Sequence, residues 1–254
     1  MPLEVVAILL AGVAAGTINT IVGSGTLITF PTLLAFGVPP VTANVSNTVG
    51  LVPGSLSGVF GYRAELSGQR SRLLRLASAS LLGAALGAVL LLWLPSEAFD
   101  AIVPALVAVG VLLVVLGPRI QRGVAARAEV RGGLPEHGAA WVWPAVLLAG
   151  VYGGYFGAAQ GVLLMAILGI GVADALQRHN ATKNVLAMIV NLVAALVFIA
   201  VADIDWAAAG LIALGSVVGG QVGATVGRRL PPAALRGVIV VVGLTALVTL
   251  LWPW

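Results

Sequence analysis

From Val5 to Tyr62 the chain reads VVAILLAGVAAGTINTIVGSGTLITFPTLLAFGVPPVTANVSNTVGLVPGSLSGVFGY, 58 residues without one charged side chain. A spanning helix takes about 20 apolar residues, so this stretch holds more than one membrane segment. Further charge-free runs follow at Leu76–Ser96, Ala101–Pro118, Gly138–Ala173, Asn184–Ala202, Trp206–Gly227 and Gly237–Trp254. They are solidly apolar rather than alternating at period two over about ten residues, as barrel strands would. Charged residues make up 9% of the 254, against about 25% in soluble proteins, and hydrophobic ones 60%. So few charges could not cover the surface of a water-soluble globule. The fold class is an all-α integral membrane protein.

Several function classes fall away at once. With no cysteine there is no disulfide framework, thiolate metal site or thiol nucleophile. The net charge of +4 sits in short loops between apolar runs, a cytoplasmic-loop bias rather than a nucleic-acid surface. The start Met1-Pro2-Leu3-Glu4 lacks a basic region and argues against a cleaved signal peptide. No HExxH, Walker or nucleophile-elbow pattern occurs, and Ser46, His179 and Asp174 do not amount to a triad. Neither an enzyme nor a cofactor is expected.

The two ends of the chain match each other. At an offset of 136, Asn44-Val45-Ser46 meets Asn180-Ala181-Thr182, and Ser80, Gly83, Gly87 and Ala88 meet Ser216, Gly219, Gly223 and Ala224. Leu94-Pro95 meets Leu230-Pro231, while nearer the start an offset of 138 pairs Ala11-Gly12-Val13 and Gly16 with Ala149-Gly150-Val151 and Gly154. Each unit reads as five segments: A 5–22, B 26–36, C 42–62, D 73–93 and E 98–117, then A′ 141–158, B′ 162–172, C′ 181–201, D′ 206–227 and E′ 234–252. Residues 1–117 form one repeat, 141–254 the other, and 118–140 read as an exposed linker.

Basic residues set the expected topology. They cluster after C (Arg63, Arg70, Arg72, Arg75), in the linker (Arg119, Arg122, Arg127, Arg131), between B′ and C′ (Arg178, Lys183) and between D′ and E′ (Arg228, Arg229, Arg236). Glu4, Glu97, Asp100, Asp203 and Asp205 occupy the complementary turns. Positively charged loops stay cytoplasmic, so the C–D turn and the linker lie inside, and both termini and the C′–D′ turn outside. The repeats are then inverted, and each crosses an odd number of times. Either A and B form a broken or re-entrant hairpin followed by three spanning helices, or all five segments cross. Segment B, at about 17 Å for eleven residues, favours the hairpin.

Short, glycine-broken helices in matching positions of inverted repeats point to a transporter's binding site. A helix starting inside the bilayer offers unpaired N–H groups and a partial positive charge to an anion. Gly23, Ser24, Gly25 and Thr26 precede B, and Gln160 and Gly161 precede B′; tight packing turns are the plainer reading. Asn44, Ser46, Asn47 and Thr48, repeated as Asn180, Thr182, Lys183 and Asn184, are either substrate contacts or helix caps. Lys183 is a site charge or a flanking cytoplasmic lysine. Asn19 and Asn191 line a path or bond across helices. Tyr152 and Tyr155 either close over a ligand or pack near Trp141 and Trp143. His179 is either a proton-coupling group or a solvated loop side chain, the plainer reading. No carboxylate falls in a predicted span, which weighs against proton coupling through a buried acid.

Ala11-Gly12 through Gly16, the Gly23-Ser24-Gly25 break, Pro31 leading to Gly37-Val38-Pro39-Pro40 and Ala43-Asn44 resemble the TauE/SafE family of membrane permeases. So does the run Gly150-Val151-Tyr152-Gly153-Gly154-Tyr155-Phe156-Gly157 with Asn180-Ala181-Thr182-Lys183-Asn184. The resemblance covers nearly the whole chain. It implies transport of small sulfur-containing anions such as sulfite or sulfonates, commonly export across the bacterial plasma membrane. Ala158-Ala159-Gln160 departs from the family's more glycine-rich run, and the family is often described with about eight spans, which the charge argument does not reproduce.

The expected function is therefore secondary transport of a small sulfur oxyanion, sulfite or an organosulfonate. The site would lie at the repeat interface and work by alternating access. Its substrate-binding residues are Asn19, Gly23, Ser24, Gly25, Thr26, Asn44, Ser46, Asn47, Thr48, Gln160, Gly161, Asn180, Thr182, Lys183 and Asn184. An anion channel or a facilitator for a different small anion is the alternative. The expected partners are the anion and the lipid bilayer, with a homodimer as an open assembly and nucleic acid excluded.

Overall fold

The computed structural model describes residues 2–130, 138–225 and 232–251. Ten α-helices follow in order among them: α1 Pro2–Ile21, α2 Thr26–Ala35, α3 Pro40–Gly61, α4 Arg70–Trp93, α5 Ser96–Val130, α6 Val142–Tyr155, α7 Gln160–Gly171, α8 Leu176–Val201, α9 Trp206–Thr225 and α10 Pro232–Leu251. A short 3-10 turn, Arg63–Leu66, lies between α3 and α4. Helices α1, α4, α5, α8 and α9 are long and apolar enough to cross a membrane. Leucines and valines such as Leu10, Leu86, Leu148 and Val218 stand exposed on the bundle's outside, as a lipid-facing surface requires.

Three boundaries differ from the sequence reading. Helix α5 runs through 118–130, where a linker was expected, because Gly123-Val124-Ala125-Ala126-Arg127-Ala128-Glu129-Val130 is mostly good helix-forming sequence. Arg131 and His137 of that linker, and Arg228 and Arg229, lie outside the described residues. Helices α3 and α8 start earlier than segments C and C′, with Pro39 and Ala175 at their N-caps. The Asn44 and Asn180 clusters thus sit inside their helices, and capping does not account for them.

Packing crosses between the two ends of the chain. Helix α1 lies on α9 and α6 on α4, while α3 packs on both α9 and α8. Small residues make these approaches close, the usual device where helices meet inside a bilayer. Gly12 and Gly16 rest on the backbone of Ile212 and Ser216, and Gly83 and Gly87 on that of Leu147 and Val151.

The same contacts give helix directions. Gly12, Gly16 and Thr20 of α1 meet Ile212, Ser216 and Gly223, and Gly50, Gly54 and Gly61 of α3 meet Ile212, Ser216 and Ala224. Helices α1, α3 and α9 therefore run the same way, and α2 must carry the chain back between α1 and α3. It doubles back at once: Gly25 packs on the Ala15 carbonyl and Asn19. The pair α6–α7 closes on itself, with the Ala139 N–H donating to the Gly171 carbonyl at 2.8 Å. Its helices, of 14 and 12 residues, are about 21 and 18 Å long, short of the ~30 Å hydrocarbon core. Helices α3 and α8 run antiparallel. Ser55 faces Asn191, Tyr62 packs with Ala181, and the Ser46 hydroxyl accepts the Asp205 N–H just past the end of α8.

Candidate functional site

The two helix breaks meet in the middle of the molecule. The Gly161 N–H donates to the Gly23 carbonyl at 3.0 Å. Gly23 has φ +86, a left-handed conformation natural to glycine. Beside this contact is a polar cavity of about 30 Å³ lined by Asn19, Thr20, Thr26, Gln160, Asn184 and Asn191, with Ser55, Ala187 and the glycines 23, 157 and 161 completing the wall. Its lining pairs positions related by the repeat offsets: Asn19 with Gly157 and Gly23 with Gly161 at 138, and, at 136, Ser55 with Asn191, whose Nδ2 donates to the Ser55 hydroxyl at 3.1 Å.

Of the residues singled out in the sequence, Asn19, Gly23, Thr26, Gln160, Gly161, Asn184 and Asn191 line this cavity. The others build its surroundings. Asn19 Oδ1 accepts the Gly25 N–H at 2.6 Å. The Asn47 amide donates to Thr26 Oγ1 at 3.3 Å and accepts from the Thr29 hydroxyl, fixing the first turn of α2. Asn44 Nδ2 donates to the Tyr155 carbonyl at the end of α6, and the Thr48 hydroxyl donates to the Asn44 carbonyl. The Ser46 hydroxyl is spent on the α8–α9 turn, and Thr182 donates to Gln69 Oε1 at 2.8 Å. Ser24 is buried, and its hydroxyl has no hydrogen-bond partner.

Lys183 is wholly buried, so it is not a solvated flanking lysine. Its amine donates to the carbonyls of Asn19 at 2.9 Å and Thr20 at 3.2 Å. Asn180 and Asn184 Nδ2 also donate to the Thr20 carbonyl, at 3.2 and 3.3 Å. These are last-turn carbonyls of α1, which have no partner within the helix and carry its partial negative charge. A lysine amine is thereby held in the bundle by carbonyls rather than by a carboxylate, one residue from the cavity wall. At α7 the first N–H groups are already engaged, Gln160 with Gly157, Gly161 with Gly23 and Val162 with Ala159.

His179 is buried too, contrary to its expected place in a solvated loop; α8 begins three residues before it and carries it inward. Tyr152 donates to the Ala158 carbonyl at 2.5 Å and Tyr155 packs against Phe99, so neither sits with Trp141 and Trp143. Thr20, Ser55, Gly157 and Ala187 were not singled out in the sequence. Signals point to two of them: Ala187 shares a helix face with Asn184 and Asn191 at i, i+3, i+7, and Ser55 is the offset partner of Asn191.

An all-helical membrane bundle in which two breaks meet around a polar cavity is the architecture of a membrane transporter. The family model for Sulfite exporter TauE/SafE matches residues 8–250, and the chain belongs to that family. It is 28% identical over 249 residues to a probable membrane transporter protein, ORF9, of Sinorhizobium sp, covering 95% of this chain and 90% of that one. It is 26% identical over 249 residues to the probable membrane transporter protein YfcA of Escherichia coli K12, covering 95% and 87%. No solved structure matches it.

Proposed function

We propose that this transporter exports a small sulfur oxyanion from the cytoplasm, with sulfite as the substrate, through the cavity at the Gly23–Gly161 crossing. The observation that carries the reading is the donor set there. The wall offers amide and hydroxyl groups, the Lys183 amine lies behind it, and no carboxylate lines it among the described residues. Such surroundings replace the hydration of an anion and repel no negative charge. A volume of about 30 Å³ is room for about two water-sized spheres. An inorganic oxyanion needs less rearrangement to fit than a sulfonate with an organic chain.

The mechanism in this reading is alternating access between inverted repeats, residues 1–117 and 141–254, joined on the cytoplasmic side, with both termini outside. The antiparallel α3–α8 pair and the reciprocal packing of α1 on α9 and α6 on α4 support it. Rocking one unit against the other would open the crossing to each side in turn. The experiment is efflux of radiolabelled sulfite from proteoliposomes of the purified protein, beside taurine and chloride. Sulfite efflux above protein-free vesicles, reduced tenfold or more in a folded Asn184→Leu variant, is expected. Equal efflux in wild type and empty vesicles overturns the substrate, and single-channel conductance in a planar bilayer overturns alternating access.

A further inference from the structure

A second polar cavity, of about 160 Å³, lies where the α3–α4 and α7–α8 connections meet, with Gln69, Ser71, Arg72, Asp174 and Arg178 in its wall. Asp174 is clasped from three directions. The Arg72 guanidinium donates to Oδ2, while Arg178 Nε and the Ala175 N–H donate to Oδ1, each at 2.8 Å. Arg72 is 5% exposed, yet Asp174 and Arg178 reach solvent at 13% and 34%. Two guanidiniums, each through one nitrogen, and a main-chain N–H converging on one pair of oxygens are a donor set suited to carboxylates and small oxyanions.

We propose that this cavity is a second small-oxyanion site, the loading point for cargo, in which the Asp174 carboxylate occupies the two guanidiniums until an incoming anion displaces it. The place is also a tie across the molecule. Arg72 on α4 and the Ser67 carbonyl, which accepts from Arg178 at 3.1 Å, belong to the first half of the chain, and Asp174 and Arg178 to the second. Exchange of the carboxylate for a free anion therefore changes what joins the two halves at this end of the bundle. A polar connection leads inward from it: Gln69 Oε1 accepts from both Arg72 and the Thr182 hydroxyl, and Thr182 precedes Lys183. The arrangement is one-sided. The positions one offset of 136 from Arg72, Asp174 and Arg178 are Ala208, Val38 and Thr42, which can form no such tie. The site needs the export reading only for the identity of its physiological anion.

The test is the melting temperature of the purified full chain titrated with sulfite, sulfate, phosphate and chloride at constant ionic strength, read as the half-saturating concentration. Oxyanions are expected to stabilise the protein and chloride not. Asp174→Asn, nearly isosteric and without the competing charge, should lower the half-saturating concentration about tenfold. Arg178→Gln, at a partly exposed position, should raise it about tenfold. Asn184→Leu should leave it where it is. Equal half-saturation in wild type and Asp174→Asn overturns the proposal, as does the absence of oxyanion stabilisation in Asp174→Asn. Loss of the response in Asn184→Leu with retention in Arg178→Gln places the anion in the central cavity and equally overturns it. Failure of sulfite efflux with these shifts intact would instead reject the export reading and leave the site standing. Discrimination among sulfite, sulfate and phosphate shows which oxyanion chemistry the site takes.

Discussion

Gly23 and Gly161 meet backbone to backbone, the Gly161 N–H bonded to the Gly23 carbonyl at 3.0 Å. A methyl group on Gly23 would fall 2.3 Å from the Gly161 α-carbon, and one on Gly161 would fall 2.4 Å from that of Gly23. Both contacts are with main chain, so no side chain can swing aside. Everything that forms the cavity follows from this approach, since it places the turns after α1 and before α7 side by side.

Alanine at either position should separate the breaks. Gly23→Ala is the harsher change, because it adds strain at φ +86 to the clash. We expect a loss of about 3 kcal/mol or more for Gly23→Ala, from overpacking and backbone strain together, and a smaller loss for Gly161→Ala. Melting in detergent by a tryptophan or dye signal checks this. Wild-type stability in both variants would show that the breaks do not touch.

Lys183 joins α8 to the carboxyl end of α1 through the Asn19 and Thr20 carbonyls. Replacing it with methionine keeps the bulk and removes the amine. The Asn19 and Thr20 carbonyls lose their amine donor, a change of about 1 kcal/mol for each bond by the usual worth of such bonds. Sulfite efflux should fall tenfold or more at equal amounts of folded protein. Undiminished efflux in Lys183→Met would remove the amine from the account of anion binding.

Ala159 stands at φ +60, buried, at the start of α7. A left-handed alanine costs about 1–2 kcal/mol. Glycine would relieve that strain, but it loses a buried methyl worth about 0.8 kcal/mol and gains about 0.5–1 kcal/mol of unfolded-state freedom. Ala159→Gly should therefore melt within a few degrees of wild type. Ala159→Val, β-branched in the same conformation, should lose about 2 kcal/mol or more. Equal melting of the two variants would contradict the left-handed geometry.

The breaks and the helix order were legible because charge-free runs and glycine clusters report directly on bilayer crossing and backbone approach. The departure at Ala158-Ala159-Gln160 was legible as well, and it falls on the residue whose backbone asks for glycine. The burial of Lys183 was not. A lysine eight residues into α8, after Arg178, reads as a flank, and only the return of α1 to that depth supplies carbonyls to hold it. The Asn44 and Asn180 clusters read as helix starts because Pro39-Pro40 and the polar residues before Asn180 mask how early α3 and α8 begin. The Asp174–Arg72 ion pair was not legible for a related reason: Arg72 lies 102 residues away at the start of α4, and no periodicity links it to the α7–α8 turn.

The Asp174 contacts make a statement about acid stability. Burial alone would raise its pKa, but the bonds from Arg72, the Ala175 N–H and Arg178, with the charge of Arg72, outweigh burial and hold the carboxyl below the ordinary range. A group depressed in the folded state stabilises the protein above its unfolded pKa, about 3.9 for aspartate. That contribution is lost as pH falls below this value and through the folded pKa. Wild type should thus hold its melting temperature down to about pH 4 and lose it progressively in stronger acid. Asp174→Asn should melt lower at neutral pH and show a shallower acid decline, because the ion pairs are already absent. The comparison requires matched detergent and low oxyanion concentration, since a bound anion would substitute for the carboxylate. Parallel acid declines in the two proteins would mean that Asp174 does not carry the tie between the 67–72 and 174–178 segments.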